Sequence, residues 1–252
     1  MTNSEWADKC QHWKQQWPVY QSEHADDSRG LDIYEVLESI NEILTDNNLV
    51  VADAGSPSYA CPTALKATCS NQFIFNPSQA DMGWAVPASV GVALNAKDKL
   101  TLAIIGDGSF YSNMQEIAVI KYLNLPIKLI VLNNGGYLSI KNTQTKYFEG
   151  RVYGVDQSSG LFFPPLDKVA EAFEIKYQKI SNRNELKSAF GVLNDRNNRS
   201  AELIEVMCKI DQEILPAQSF KVLPDGKRVQ APLHDMAPFL SQEELEREWP
   251  IK

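Results

Sequence analysis

Residues 102–140, "LAIIGDGSFYSNMQEIAVIKYLNLPIKLIVLNNGGYLSI", contain two apolar runs that end alike. The first stops at Gly106-Asp107-Gly108, the second at Asn133-Asn134-Gly135-Gly136. Short apolar runs of this kind suit strands buried on both faces. Ser112–Leu123 between them reads as a helix, so the stretch is a strand–helix–strand unit of a parallel sheet. In such sheets ligands bind at the carboxyl ends of strands, where both motifs fall. Gly106 and Gly108 let the main chain turn and be approached closely, and a helix starting near Ser112 offers unpaired N–H groups to phosphate. Asp107 has the wrong charge for phosphate unless a metal ion stands between. Mg2+ takes oxygen ligands and shares them with phosphates and water. Asn134 adds a side-chain oxygen, and a carbonyl of the glycine pair adds a third. Each motif alone is an ordinary turn; the pair, each after a strand and joined by one helix, reads as a diphosphate–Mg2+ cradle.

The alternation extends outward from this unit. "DIYEVLESINEIL", "GWAVPASVGVALNA", "LDKVAEAFEI" and "RNELKSAFGVLNDR" have helical patterning; "NLVVADAG", "KYQKI" and "AELIEVMCKI" read as strands. The prediction is an α/β fold, a doubly wound and mainly parallel sheet with helices on both faces. Residues 1–30 form an appended arm: Trp6, Cys10, Trp13 and Trp17 share one face of a helix that Pro18 ends, and "QSEHADDSRG" is a polar linker. That face packs on this domain or on something outside the chain. The domain spans 31–215, and 216–252 is an irregular tail with one terminal helix.

A net charge of −8 argues against nucleic-acid and anionic-membrane surfaces. No segment approaches the roughly 20 apolar residues of a membrane span, and the polar start is no signal peptide. Cys10, Cys61, Cys69 and Cys208 form no CxxC pair, and the three histidines lie far from them, so the pattern points to reducing cytoplasm without zinc.

"GDGSF" followed by "LNN" at this spacing resembles the diphosphate-binding signature of thiamine diphosphate (ThDP) enzymes, in particular the acetolactate synthase-like branch, where Asn-x-Gln-Glu follows. The tail "PLHDMAPFLSQEEL" is similar to the C-termini of such proteins. The resemblance implies the diphosphate-binding domain of that fold. It implies Asp107, Asn134 and the carbonyl of Gly136 as Mg2+ ligands, and Gly106 with the backbone of Gly108 and Ser109 around the diphosphate. "DAGSPSY" matches a strand-end loop on the same diphosphate, which nominates Gly55 and Ser56; a turn and helix cap is the other reading. "QADMGWAVPASVG" resembles a Gly-x-Met-Gly stretch in which the Met, here Met82, props the cofactor into its bent form. Ala80 stands where the family has Gly, and its carbonyl would accept from the cofactor's amino group. Asp81 is expected to cap the following helix. Tyr137 and Leu138 would line the cofactor and substrate pocket.

The implied reaction is decarboxylation of a small 2-oxo acid, with or without ligation of the product to a second carbonyl. The family's activating Glu belongs to a pyrimidine-binding domain for which this chain has no room, so no catalytic residue is assigned here and a partner subunit is expected to bring it. Self-association is also expected. The initiating Met, the orderly N-terminal segment and the full tail favour a natural subunit, a fragment of a longer protein being the other reading, and FAD has no evident site. Transketolase-like two-carbon transfer, decarboxylation of a phosphonate or sulfonate oxo acid, and a non-catalytic binding subunit remain as alternatives. A dinucleotide-binding Rossmann protein fits poorly, since no G-x-G-x-x-G follows the first strand.

Overall fold

A computed structural model describes residues 3–69, 72–195 and 198–249. Met1 at the start of the expected arm, Arg196 at the end of an expected helix and residues 250–252 of the expected tail lie outside them. The chain runs through α1 (Asn3–Gln16), α2 (Ile33–Asn41), β1 (Asn48–Ala52), α3 (Ser56–Ala64), β2 (Phe73–Phe75), α4 (Ala85–Asn95), β3 (Leu100–Gly106), α5 (Asp107–Phe110), α6 (Ile117–Tyr122) and β4 (Ile127–Asn133). It continues with α7 (Leu138–Tyr147), α8 (Leu166–Ala172), β5 (Lys176–Ile180), α9 (Arg183–Gly191), β6 (Glu202–Met207), β7 (Phe220–Val222), β8 (Arg228–Gln230) and α10 (Gln242–Glu248).

Six strands form one parallel sheet in the order β2-β1-β3-β4-β6-β5. Every residue of β3 and β4 before the last is buried, because helices cover both faces and neither can be polar. Val51, Ala103, Ile105, Leu129, Val131 and Leu203 share one cluster with residues of α4, α6 and α8. The alternate residues Val50, Leu102, Ile104, Ile130, Ile204 and Val206 are equally buried and face the other way, by the period of two. There α2 packs between α3 and α9, through Ile33, Val36, Leu37 and Ile40 at i, i+3, i+4 and i+7. This is the doubly wound arrangement expected. After β1 the chain lays β2 on one side and β3 on the other, so the strand order reverses between β1 and β3, the place such sheets keep for ligands.

Several expectations need correction. The helix after Gly108 does not start near Ser112. It begins at Asp107, directly off β3, breaks after Phe110 and resumes as a 3-10 turn at Met114–Glu116 before α6. Asn113 leaves helical geometry at φ −139° and ψ 25°, and its amide donates to the carbonyl of Gly83 at 3.1 Å. β2 was not anticipated: three residues are too few to show a period. Helix α3 was open as a cap at best, since Pro57 and Pro62 obscure it, and α7 was missed because only Leu138 of it is buried. Pro87 sits in the first turn of α4, where proline costs little.

The polar stretch before Leu31 is no free linker. It forms a 3-10 turn at Ser22–Ala25, Asp27 accepts from the Arg183 amide at 2.8 Å, and Leu31 bridges to Cys208. Helix α1 buries none of its residues: Trp6 is 46% exposed and meets Trp13 edge-on at 5.6 Å. The chain divides into two compact units, residues 1–212 and 213–252. The second holds more than the single helix expected: β7 and β8 form an antiparallel hairpin, and α10 starts with a capping box between Ser241 and Glu244.

Candidate functional site

Register brings the three loops to one edge. Ala52 pairs with Ile104, Gly106 with Leu132 and Asn133 with Met207, so the segments after β1, β3 and β4 open side by side. They border a cleft open to solvent. Every residue expected at the site lines it (Gly55, Ser56, Met82, Gly106, Asp107, Gly108, Ser109, Asn134, Gly136, Tyr137, Leu138) except Ala80.

Asp107 is the charged centre of this cleft and only 3% exposed. Its Oδ1 accepts from the Gly108 amide at 2.7 Å and its Oδ2 from the Gly136 amide at 2.9 Å. Burial pushes its carboxyl up to about 6, outweighing the hydrogen bonds from Gly108, Gly136 and Gly135 that favour the ionised form. One terminal atom of the Asn134 amide lies 3.1 Å from the Gly136 carbonyl oxygen and 3.3 Å from Asp107 Oδ1. The two ends of an amide have nearly the same shape. With nitrogen in that position the amide donates twice. With oxygen there, it faces the Gly136 carbonyl and the Asp107 carboxylate, and a cation between them would satisfy all three. The donors are one carboxylate, one amide and one carbonyl, a set that fits Mg2+.

Two glycines are required by close approach. A Cβ on Gly108 would sit 2.3 Å from Tyr137 Cε1, and one on Gly136, at φ +153°, would sit 1.9 Å from the Val155 carbonyl oxygen. The amide of Tyr137 donates to that same carbonyl at 2.8 Å, and its ring meets Phe163 edge-on at 5.8 Å. Tyr137 is thus held over Gly108 with no room for a side chain below it.

The helix cap is not where it was expected. Asp81 accepts only a long bond from Asn76, at 3.3 Å, and caps nothing. Asp53, at the end of β1, does that work: its carboxylate accepts from the amides of Gly83 and Ala85, each at 3.0 Å, and from the Ser109 side chain. It joins β1, the start of α4 and the turn after β3 in one buried knot, and burial raises its carboxyl above the ordinary range. Ala80 has a left-handed backbone at φ +53°, the conformation that glycine tolerates and alanine resists. Met82 reaches the cleft while 44% exposed.

The reading from residues missed Asp53 and a second group on the cleft wall. Lys209 pairs with Asp32 at 3.0 Å, and Gln212 accepts from the Ile33 amide at 2.9 Å; Ile33, Lys209 and Gln212 all line the cleft. A carboxylate ending an apolar strand was a legible signal for Asp53. Nothing local marks Lys209, which arrives through the pairing of β6 with β4.

Residues 53–206 match the family model for the thiamine pyrophosphate enzyme, C-terminal TPP binding domain. The chain is 28% identical to the acetolactate synthase large subunit of Porphyra purpurea over 73% of its length, covering 30% of that protein. To the large subunit from Lactococcus lactis subsp. lactis (strain IL1403) it is 25% identical, covering 31% of it. Its fold matches the Rhodococcus jostii RHA1 thiamine diphosphate-dependent 4-hydroxybenzoylformate decarboxylase at a TM-score of 0.65 and 22% identity, over 74% of this chain and 34% of that one. The chain therefore spans about a third of each relative it matches. With its signature, parallel sheet and strand-end cleft in agreement, the chain belongs to the thiamine pyrophosphate enzymes and carries their C-terminal TPP-binding domain.

Proposed function

We propose that this chain is the diphosphate- and Mg2+-binding part of an acetolactate synthase-like enzyme that decarboxylates a 2-oxo acid and, in one outcome, ligates the product to a second carbonyl. The buried Asp107 carboxylate at the strand end, with the Asn134 amide and the Gly136 carbonyl gathered beside it in the cleft, carries this reading. Asp107, Asn134 and the Gly136 carbonyl would hold the cation. Main-chain groups at Gly55, Ser56, Gly106, Gly108 and Ser109 would border the diphosphate. Met82 would support the cofactor from its open side, Ala80 would offer its carbonyl to the amino group, and Tyr137 and Leu138 would close the pocket. When bound, ThDP supplies the electron sink for breaking the bond to carbon dioxide. The protein's part is to fix position and exclude water: Asp53 and Asp107 tie the three loops together, and Tyr137 seals Gly108.

The activating glutamate is expected from a pyrimidine-binding part outside this sequence, on a partner subunit in the reading proposed here; the chain spans about a third of the relatives it matches. The expected setting is a cytoplasmic hetero-oligomer; among the described residues no helix is long and apolar enough to cross a membrane. A second reading, binding without turnover, draws on the strained Ala80. Mixing the chain with candidate pyrimidine-domain subunits and following carbon dioxide release from 2-oxo acids separates the two. Release that needs both chains and Mg2+ supports the enzyme; ThDP binding without release in any mixture supports the binding subunit.

A further inference from the structure

Glu205 lies on β6, is 6% exposed, and has no part in the site as read so far. Both of its carboxylate oxygens are engaged. Oε1 accepts from Asn133 Nδ2 at 2.5 Å, and Oε2 accepts from the hydroxyl of Tyr177 on β5. Asn133 Oδ1 in turn accepts from the Gly135 amide at 3.0 Å. The bonds form one line from the edge strand across β6 and β4 into the loop that carries Asn134 and Gly136.

Direction is what this line fixes. An Asn amide has nearly the same shape either way round, so packing does not choose its orientation. A carboxylate only accepts. Against Glu205, Asn133 must present nitrogen, and its oxygen is then left facing the Gly135 amide. Rotated by half a turn, the same side chain would set oxygen against carboxylate and N–H against N–H. The loop needs this support because Gly135 and Gly136 both have positive φ, +78° and +153°, and glycine supplies little stiffness of its own. Asp107 holds the Gly136 amide from one side; Asn133 holds Gly135 from the other.

We propose that Glu205 is a positioning residue for the cation site: by orienting Asn133 it sets the loop that aims the Asn134 and Gly136 oxygens at the metal. This rests on the reading of the cleft as a diphosphate–Mg2+ cradle. Glu205→Gln keeps an acceptor for Asn133 and turns its NH2 to the Tyr177 oxygen, which can accept, so it preserves the orientation without the charge. Glu205→Leu removes it.

The test uses the full chain and two readouts: amide hydrogen exchange at Gly135 and Gly136 without ligands, and the Mg2+ concentration giving half-maximal ThDP binding. In Glu205→Leu, Gly135 exchange is expected to quicken relative to β3 amides, and the Mg2+ requirement to rise about tenfold, the scale for partners that orient metal ligands. Glu205→Gln is expected to stay close to wild type in both. Gly135 exchange unchanged in Glu205→Leu, or an equal rise in Mg2+ requirement for Gln and Leu, overturns the proposal. A merely structural role would lower the melting temperature without shifting the Mg2+ requirement. If the wild type binds no ThDP at any Mg2+ concentration, the cradle reading fails and the exchange data alone decide the relay. Should Glu205→Leu not fold, Tyr177→Phe replaces it: faster Gly135 exchange is expected there, and no change in either readout overturns the relay.

Discussion

The two ends of the sheet both bury charge and treat it in opposite ways. At the amino end, Lys128 and Glu202 are register partners on β4 and β6. The Lys128 ammonium donates to Glu202 at 2.8 Å and to Asn198 and the Ser200 carbonyl at 3.0 Å each. All three of its donors are used, and burial lowers its pKa from the ordinary lysine range. At the carboxyl end, Asp107 is also enclosed, yet its carboxylate accepts from the main-chain amides of Gly108 and Gly136. Among the described residues no ion pair involves it. The amino end is a closed network; the carboxyl end leaves a buried carboxylate opening on a cleft, which the proposed function assigns to a cation.

This contrast can be broken from either side. The largest effect is expected at the closed end. Lys128→Met leaves Glu202 buried without its cation, and chemical denaturation should register a loss of about 3–5 kcal/mol. Adding Glu202→Leu should recover much of that, as apolar replacement of a whole buried pair commonly does. A double variant no better than the single one would mean the pair is not a closed unit.

At the open end, Asp107→Asn should behave differently. It removes the proposed metal ligand but also a costly buried charge. Titration should detect at least a hundredfold loss of Mg2+-dependent ThDP affinity, about 2.8 kcal/mol, while the metal-free protein melts no lower than wild type. A variant that loses stability instead would put Asp107 in the class of Lys128.

The pH dependence sharpens the same point. With its carboxyl pushed up to about 6, Asp107 is mostly ionised at pH 7 and mostly protonated at pH 5. Only the ionised form ligates, so Mg2+ affinity should fall about tenfold across that interval. In the metal-free protein the sign is reversed. The folded state holds this proton more tightly than the unfolded chain, whose value is near 3.8. Stability should therefore decline as pH rises from about 4 to about 6, by about 3 kcal/mol from this group. The difference between urea melts of wild type and Asp107→Asn isolates that contribution.

The smallest effect is expected at Ala80. Glycine there relieves a left-handed alanine, a gain of about 1 kcal/mol offset by the greater freedom of unfolded glycine. ThDP affinity in Ala80→Gly should stay equal or rise slightly, by calorimetry.

The contrast also explains what could be read in advance. β3, β4 and the glycine-flanked Asp107 were legible because apolar runs and turn residues are local signals. The broken helix after Phe110 was not, since Asn113 leaves the helix where its side chain meets Gly83 from a distant segment. Asp81 looked like a cap by proximity, but Asp53 holds that position across the sheet. Lys209 and Glu205 belong to β6 and its extension, and only strand pairing brings them to loops more than 70 residues earlier. Local chemistry marked the groups that line the cleft; the groups that hold them in place came from topology.

The most direct test of the cradle is calorimetric titration of the full chain with ThDP, with Mg2+ and then with EDTA in its place. The account predicts binding that requires Mg2+, disappears on chelation and is lost in Asp107→Asn. Equal ThDP affinity with and without the metal, or wild-type affinity in Asp107→Asn, would contradict it.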